Sequence, residues 1–230
     1  MIRTLLVPAV CHLSLLVALA QPREPGRTFR APDLVELVRR DTSLVLDIRY
    51  ATSRNFMKRP LYTQARAFLQ RPAAEALARV NARLHAGGFG LVIFDAYRPW
   101  SVTREFWEAT PAASRKYVAN PLKGSRHNRG CAVDLSLVDR RTGKHVDMPS
   151  DFDEFSERAA ARYTGGTPEE RRMRDLLRSE MEAEGFRVNP DEWWHFDYTE
   201  WRRYRVLDIP FERLGGQTSN LREQHQQLHP

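Results

Sequence analysis

The segment from Pro72 to Phe94 restricts the fold more than any other part of the chain. PAAEALARVNARLH (72–85) sets Ala, Leu and Val at helical spacing behind a proline at its start, and Gly87-Gly88 ends it. FGLVIF (89–94) follows at once and reads as a buried strand. A second helical run, 168–184, stops at Gly185 and is followed by strand signals at 186–188 and 194–198. Between these pairs the spacing predicts a helix over 33–38, a strand over 43–50, a helix over 101–109 and a strand over 131–138. A turn at 139–143 leads from that last strand into a short partner. Residues 51–70 show no period. Helices and strands do not alternate as a doubly wound parallel sheet requires. The expected class is therefore α+β, a single domain over 21–210 with a largely antiparallel sheet and a polar tail over 211–230.

Composition excludes several classes. Hydrophobic residues at 42% and charged residues at 28% are those of a globular chain, not a disordered or fibrous one. The two cysteines, Cys11 and Cys131, exclude a disulfide-dense scaffold and a four-cysteine metal module. Lys and Arg number 36 against 29 Asp and Glu, but the charges are scattered, with no basic block of five. This pattern predicts no nucleic-acid partner.

Arg3 precedes an apolar run from Leu5 to Ala20, broken by Pro8, His12 and Ser14 and closed by Ala18-Leu19-Ala20 before Gln21-Pro22. A positive start, a short apolar core and a small-x-small ending predict a secretory signal peptide over 1–20, cleaved after Ala20. The rival reading is an uncleaved anchor. Cleavage removes Cys11 and leaves Cys131 alone, so an exported chain has no internal disulfide. No second long apolar run follows, and no stable membrane insertion is expected after cleavage.

Two short stretches carry the chemistry. Gly124 to Asp134 reads GSRHNRGCAVD, and Asp191 to Phe196 reads DEWWHF. His127, Asp134 and His195 offer two imidazoles and a carboxylate, a ligand set suited to a catalytic zinc with one open position. Gly130 lets the backbone turn sharply between the first two. Glu192, three residues before His195, can reach the open side of that ion without binding it, accept a proton from water and return it to a leaving amine. Each piece alone is weak. A lone histidine is more often a surface or core residue than a ligand, and His12, His85, His145, His225 and His229 stay unassigned. Trp193 and Trp194 read as core residues flanking the site. Cys131 reads as a small buried side chain.

Ser125-x-His127-x-x-Gly130-x-Ala132-x-Asp134 followed by Glu192-Trp193-Trp194-His195 resembles the zinc D-alanyl-D-alanine dipeptidases. These are related to the D-Ala-D-Ala metallo-carboxypeptidases and the hedgehog-like zinc fold. Arg49-Tyr50-Ala51-Thr52, Asn55-Phe56, Asp95-Ala96-Tyr97-Arg98-Pro99 and Met148 to Asp153 extend the likeness over about residues 33 to 205. The resemblance implies one zinc on His127, Asp134 and His195, with Glu192 as general base and acid. It implies that Arg98 stabilises the oxyanion and that Ser125, Tyr50 and Asp153 line a pocket for a D,D-dipeptide. Read from the residues alone, Arg98 can equally form a strand-end ion pair, Asp153 can cap a helix and Tyr50 can be a core tyrosine. The 28 residues between Arg98 and His127 look shorter than in some family members. The predicted leader also differs from the resistance-type dipeptidases, which work in the cytoplasm. The expected activity is hydrolysis of D-Ala-D-Ala in wall turnover or scavenging. The alternatives are a D,D- or L,D-carboxypeptidase or endopeptidase on larger wall peptides, and a non-enzymatic zinc module that binds such peptides.

Overall fold

The computed structural model describes residues 20–22 and 24–214. The predicted leader, with Cys11, lies outside these residues except for its last position. Among the described residues, seven strands and four α-helices follow one another as β1 (Leu34–Glu36), α1 (Leu37–Arg40), β2 (Val45–Leu46), β3 (Phe68–Gln70), α2 (Arg71–His85) and β4 (Phe89–Asp95). Then come α3 (Trp100–Ala109), β5 (Ala132–Asp139), α4 (Pro168–Ala183), β6 (Phe186–Asn189) and β7 (Glu192–Tyr198). Five strands form one sheet in the order β2-β4-β5-β7-β6, and β1 pairs with β3 in a separate two-stranded ribbon. Only β2–β4 is parallel; β4–β5, β5–β7 and β6–β7 are antiparallel, as expected for the α+β class.

The two long helices form where spacing and punctuation agree. Pro72 sits in the first turn of α2, and Ala73, Ala76, Leu77, Val80 and Leu84 make its buried stripe. Thr167 and Glu170 close a capping box on α4, Pro168 follows, and Met173, Leu177 and Met181 face inward. Both helices pack on the sheet and on each other. Val133, Leu135 and Leu137 of β5 join that core, so strand alternation turns Asp134 to the opposite face. Asn81 on α2 is fully buried. It accepts from Leu91 N–H and donates to Asp41 and Ser43, pinning the helix to the start of β4.

Several expectations need correction. The helix predicted over 33–38 is a strand followed by the four-residue α1, because Leu34–Glu36 pairs antiparallel with Phe68–Gln70. The five residues Leu34-Val35-Glu36-Leu37-Val38 satisfy either period, and the partner strand decides. That partner lies in the stretch read as irregular. The strand predicted over 43–50 pairs only at Val45 and Leu46, and Arg49–Ala51 turns as a 3-10 helix. The partner strand after 139–143 is reduced to one bridge, Val138 with His145. The segment read as a polar tail begins inside the folded unit. Phe211–Arg213 makes a 3-10 turn, and buried Phe211 packs on Tyr62 and Phe68. Residues 215–230 lie outside the described residues. Cys131 is buried and makes no disulfide among the described residues, and burial pushes its thiol up. No helix in the described residues is long and apolar enough to cross a membrane.

Candidate metal centre and active site

Three adjacent strands place their site residues in one row. In register, Asp95 of β4 stands opposite Asp134 of β5, which stands opposite His195 of β7. By parity Asp95 would share the helix-facing side with Leu91 and Ile93. The register shift between Ile93 and Asp95, one extra residue at Phe94, turns it to the face of Asp134. A similar irregularity lies between β6 and β7, where Val188 pairs with Phe196 but Asn189 pairs with Glu192. It brings Glu192 within reach of His195, although residues three apart on a regular strand face opposite ways. His127 arrives from the 3-10 turn His127–Arg129. That turn ends at Gly130 with φ 65°, where a Cβ would collide with Leu34 Cδ2. Buried Asn128 holds this loop by donating to the Arg98 carbonyl and to Thr103.

His127, Asp134 and His195 come together as the sequence predicts, and among the described residues they are the one such cluster that could hold a metal. His195 Nδ1 lies 3.0 Å from Asp134 Oδ1 and 3.1 Å from His127 Nε2, and His127 Nε2 lies 3.4 Å from Asp134 Oδ1. A tetrahedral ion with ligand bonds near 2.0–2.1 Å needs ligand atoms about 3.3 Å apart, so the donor set fits. The far nitrogens are also engaged. His127 Nδ1 meets the Ala96 carbonyl at 2.6 Å and His195 Nε2 meets Asp197 at 3.0 Å. With each of these partners accepting a ring proton, loss of the other proton to a bound ion would turn the lone pairs of His127 Nε2 and His195 Nδ1 toward the shared centre.

The electrostatics favour positive charge there. Burial alone would raise the Asp134 carboxyl, but His127 and His195 outweigh it and hold it well below the usual carboxylate range. Burial would lower His195, yet its bonds to Asp134 and Asp197 raise it well above its ordinary value. Glu192 shifts the other way. Burial, with the Asp134 charge, raises its carboxyl against the opposing pull of His195 and Asn189. Its Oε2 accepts from Asn189 at 2.9 Å and stands 3.7 Å from His195 Nδ1.

Arg98 does form the ion pair that its position at a strand end suggested. Nε and Nη2 donate to Asp95 Oδ2 at 2.9 and 2.7 Å, and the guanidinium lies over the Phe106 ring at 4.6 Å. The same pair fixes it beside the metal ligands, with Nη2 3.8 Å from Asp134 Oδ2. Tyr50 is both buried and part of the site, for its hydroxyl donates to Asp153 at 2.9 Å. Asp153 does not cap the 3-10 turn Glu157–Ala159 that follows; Ser156 does. Its own φ is 60°, and burial and the Asp134 charge push its carboxyl up to about 8 against Tyr50 and Arg98. Ser125 Oγ accepts from His127 N–H at 3.2 Å.

All eight predicted site residues line one cavity of about 250 Å³, which is below the roughly 300–1,000 Å³ of sites for drug-sized ligands. A larger groove of about 1030 Å³ adjoins it and contains none of the three candidate ligands. Asp95, Asp197 and Asn189 were missed as supports of the site. The one available signal was Asp197 two residues after His195, a spacing that shares a strand face.

Residues 31–208 match the peptidase M15 family, described as D-Ala-D-Ala dipeptidase. A D-alanyl-D-alanine dipeptidase of Escherichia coli (strain K12) is 37% identical over 179 residues, covering 78% of this chain and 91% of that protein. One of Enterococcus faecalis is 34% identical over 183 residues, 72% of this chain and 87% of that protein. One of Streptomyces coelicolor is 31% identical over 172 residues, 67% and 85% respectively.

Proposed function

The chain belongs to the peptidase M15 family of D-Ala-D-Ala dipeptidases, and from that membership we propose that it hydrolyses D-alanyl-D-alanine to free D-alanine in a zinc-dependent reaction. The observation that carries the reading is the convergence of His127, Asp134 and His195 with Glu192 in one small cavity. His127 Nε2, Asp134 and His195 Nδ1 would hold the ion. Zinc held by these residues would supply Lewis acidity for the scissile carbonyl and lower the pKa of water to about 7.

The remaining work falls to side chains of this protein. Glu192 accepts a proton from the attacking water and returns it to the leaving amine; its raised pKa suits a group that must do both. Arg98, held by Asp95 and stripped of water, presents a fixed cation to the charge that develops on the carbonyl oxygen. Asp153, oriented by the Tyr50 hydroxyl, meets the ammonium of the dipeptide, and that cation restores its ionised form. Ser125 adds a hydroxyl beside the ligands.

The test is release of D-alanine from D-Ala-D-Ala by zinc-loaded protein, with and without chelator, beside a pentapeptide ending in the same pair. Chelator-sensitive release from the dipeptide alone is expected. Equal release from the pentapeptide would favour a carboxypeptidase, and release from neither would favour a binding module. The small cavity supports the dipeptide reading. The leader read at 1–20 supports export to the periplasm or beyond, where free dipeptide or wall fragments are met. Exported protein should begin at Gln21, and material beginning at Met1 would contradict this.

A further inference from the structure

Three aromatic rings from separate loops meet at the rim of the site cavity. Tyr117 ends the 3-10 turn Ala112–Tyr117, Phe56 follows the turn at Arg49–Ala51, and Phe155 stands two residues after Asp153. Tyr117 and Phe155 stack with centroids 4.8 Å apart and 9° between their planes, and Phe56 lies 5.5 Å from Phe155. Phe155 is 36% exposed, so burial in the core does not account for a large apolar ring at this position. Phe56, Asp153 and Phe155 line both the 250 Å³ cavity and the 1030 Å³ groove beside it, which makes them the partition between the two spaces.

We infer that Phe155, braced by Tyr117 and Phe56, is the wall that restricts the site to dipeptides by blocking the path of any substrate extended at its amino end. The inference rests on the dipeptidase reading, in which Asp153 receives the substrate ammonium. A longer peptide has an amide where the dipeptide has that ammonium, and its chain must continue past Asp153. Phe155 stands on that path, next to Asp153 and facing both spaces. Stacking on Tyr117 fixes a ring that a surface loop would otherwise leave free to swing aside. The groove behind the wall is lined by Arg49, Arg54, Lys58 and Arg59 together with Asp151 and Asp153, and its three arginines already pair with Asp47 and Glu105, so once the wall is removed it offers room for an extension without selecting its charge.

The experiment compares kcat/KM for D-Ala-D-Ala with that for L-Ala-D-Ala-D-Ala and L-Glu-D-Ala-D-Ala, read as release of D-alanine. It uses zinc-loaded wild type, Phe155→Ala, Phe155→Tyr and Tyr117→Ala. The ratio of tripeptide to dipeptide should rise at least about tenfold in Phe155→Ala, the scale on which a pocket wall discriminates. It should rise for both tripeptides, move the same way in Tyr117→Ala, and stay near wild type in Phe155→Tyr. A ratio unchanged in both Phe155→Ala and Tyr117→Ala at wild-type zinc content would overturn the inference. So would a wild type that already cleaves tripeptide and dipeptide alike. A wild type that cleaves neither refutes the dipeptidase reading, and the wall with it, before any variant is compared.

Discussion

Replacing Asp95 by asparagine should separate the structural and catalytic duties of Arg98. Asp95 is 1% exposed and accepts four hydrogen bonds: Arg98 Nε and Nη2 on Oδ2, and the Tyr62 hydroxyl and Ala96 N–H on Oδ1. Asparagine can keep the Oδ1 bonds, but it turns an NH₂ group toward the guanidinium, donor against donor. Arg98 is itself only 7% exposed, and its next carboxylate is Asp134 Oδ2 at 3.8 Å. Breaking one side of such a buried pair costs about 3–5 kcal/mol. For a chain of this size that corresponds to a fall in Tm of roughly 10 °C. The reasoning also predicts that Arg98→Met in the Asp95→Asn background recovers stability, because it removes the orphaned cation. The four proteins of this cycle should be unfolded in urea at saturating zinc, since bound metal adds its own stability. A coupling of at least about 2 kcal/mol is expected. In the same set Asp95→Asn should lower kcat about a hundredfold with zinc content intact, because Arg98 loses its fixed position. Additive losses, or an Asp95→Asn protein within about 0.5 kcal/mol of wild type, would refute the claim that this pair is what anchors Arg98.

Asp197→Ala keeps all three proposed ligands but frees the Nε2 side of His195, and should weaken zinc about 10–100-fold in a competition titration; unchanged affinity would remove Asp197 from the site. Glu36 pairs with Arg66 through bonds of 2.7 and 2.8 Å, and the Arg66 bond holds its carboxyl below the usual range despite burial. A depressed carboxyl contributes fully above its unfolded value near 4.3 and loses that contribution as pH falls through its folded value. The stability difference between wild type and Glu36→Gln, about 1.5 kcal/mol at pH 7, should therefore shrink below about pH 4. A difference that stays constant into acid would show that the ionised pair is not its source.

The parts of this protein legible in its sequence are those specified by neighbouring residues. The helices α2 and α4 carry their own period, proline starts and glycine stops, and the structure moves their ends by a residue at most. His127, Gly130, Asp134, Glu192 and His195 stood out because a fixed spacing of uncommon residue types points to one chemistry. What stayed hidden depends on distant partners. Leu34–Glu36 becomes a strand only because Phe68–Gln70 lies beside it, and no local signal in the six residues 33–38, four aliphatic and two acidic, distinguishes that from a helix. Asp95 reaches the site only through the bulge at Phe94, which period-two alternation cannot foresee. The stacking of Tyr117 on Phe155 joins two loops 38 residues apart in the chain. The parallel pairing of β2 with β4 rests on two residues at the edge of the sheet, too few to carry a signal of their own.

The most direct test of the account is zinc content and D-Ala-D-Ala hydrolysis measured together on wild type, Glu192→Gln and His195→Ala. Glu192→Gln keeps the size and the Asn189 contact but cannot take the proton. It should hold one zinc per chain while turnover falls roughly 10²–10⁴-fold. His195→Ala should lose both zinc and activity. Near-wild-type turnover in fully loaded Glu192→Gln would contradict the proposed role of Glu192, and zinc loss as severe as in His195→Ala would make Glu192 a ligand instead.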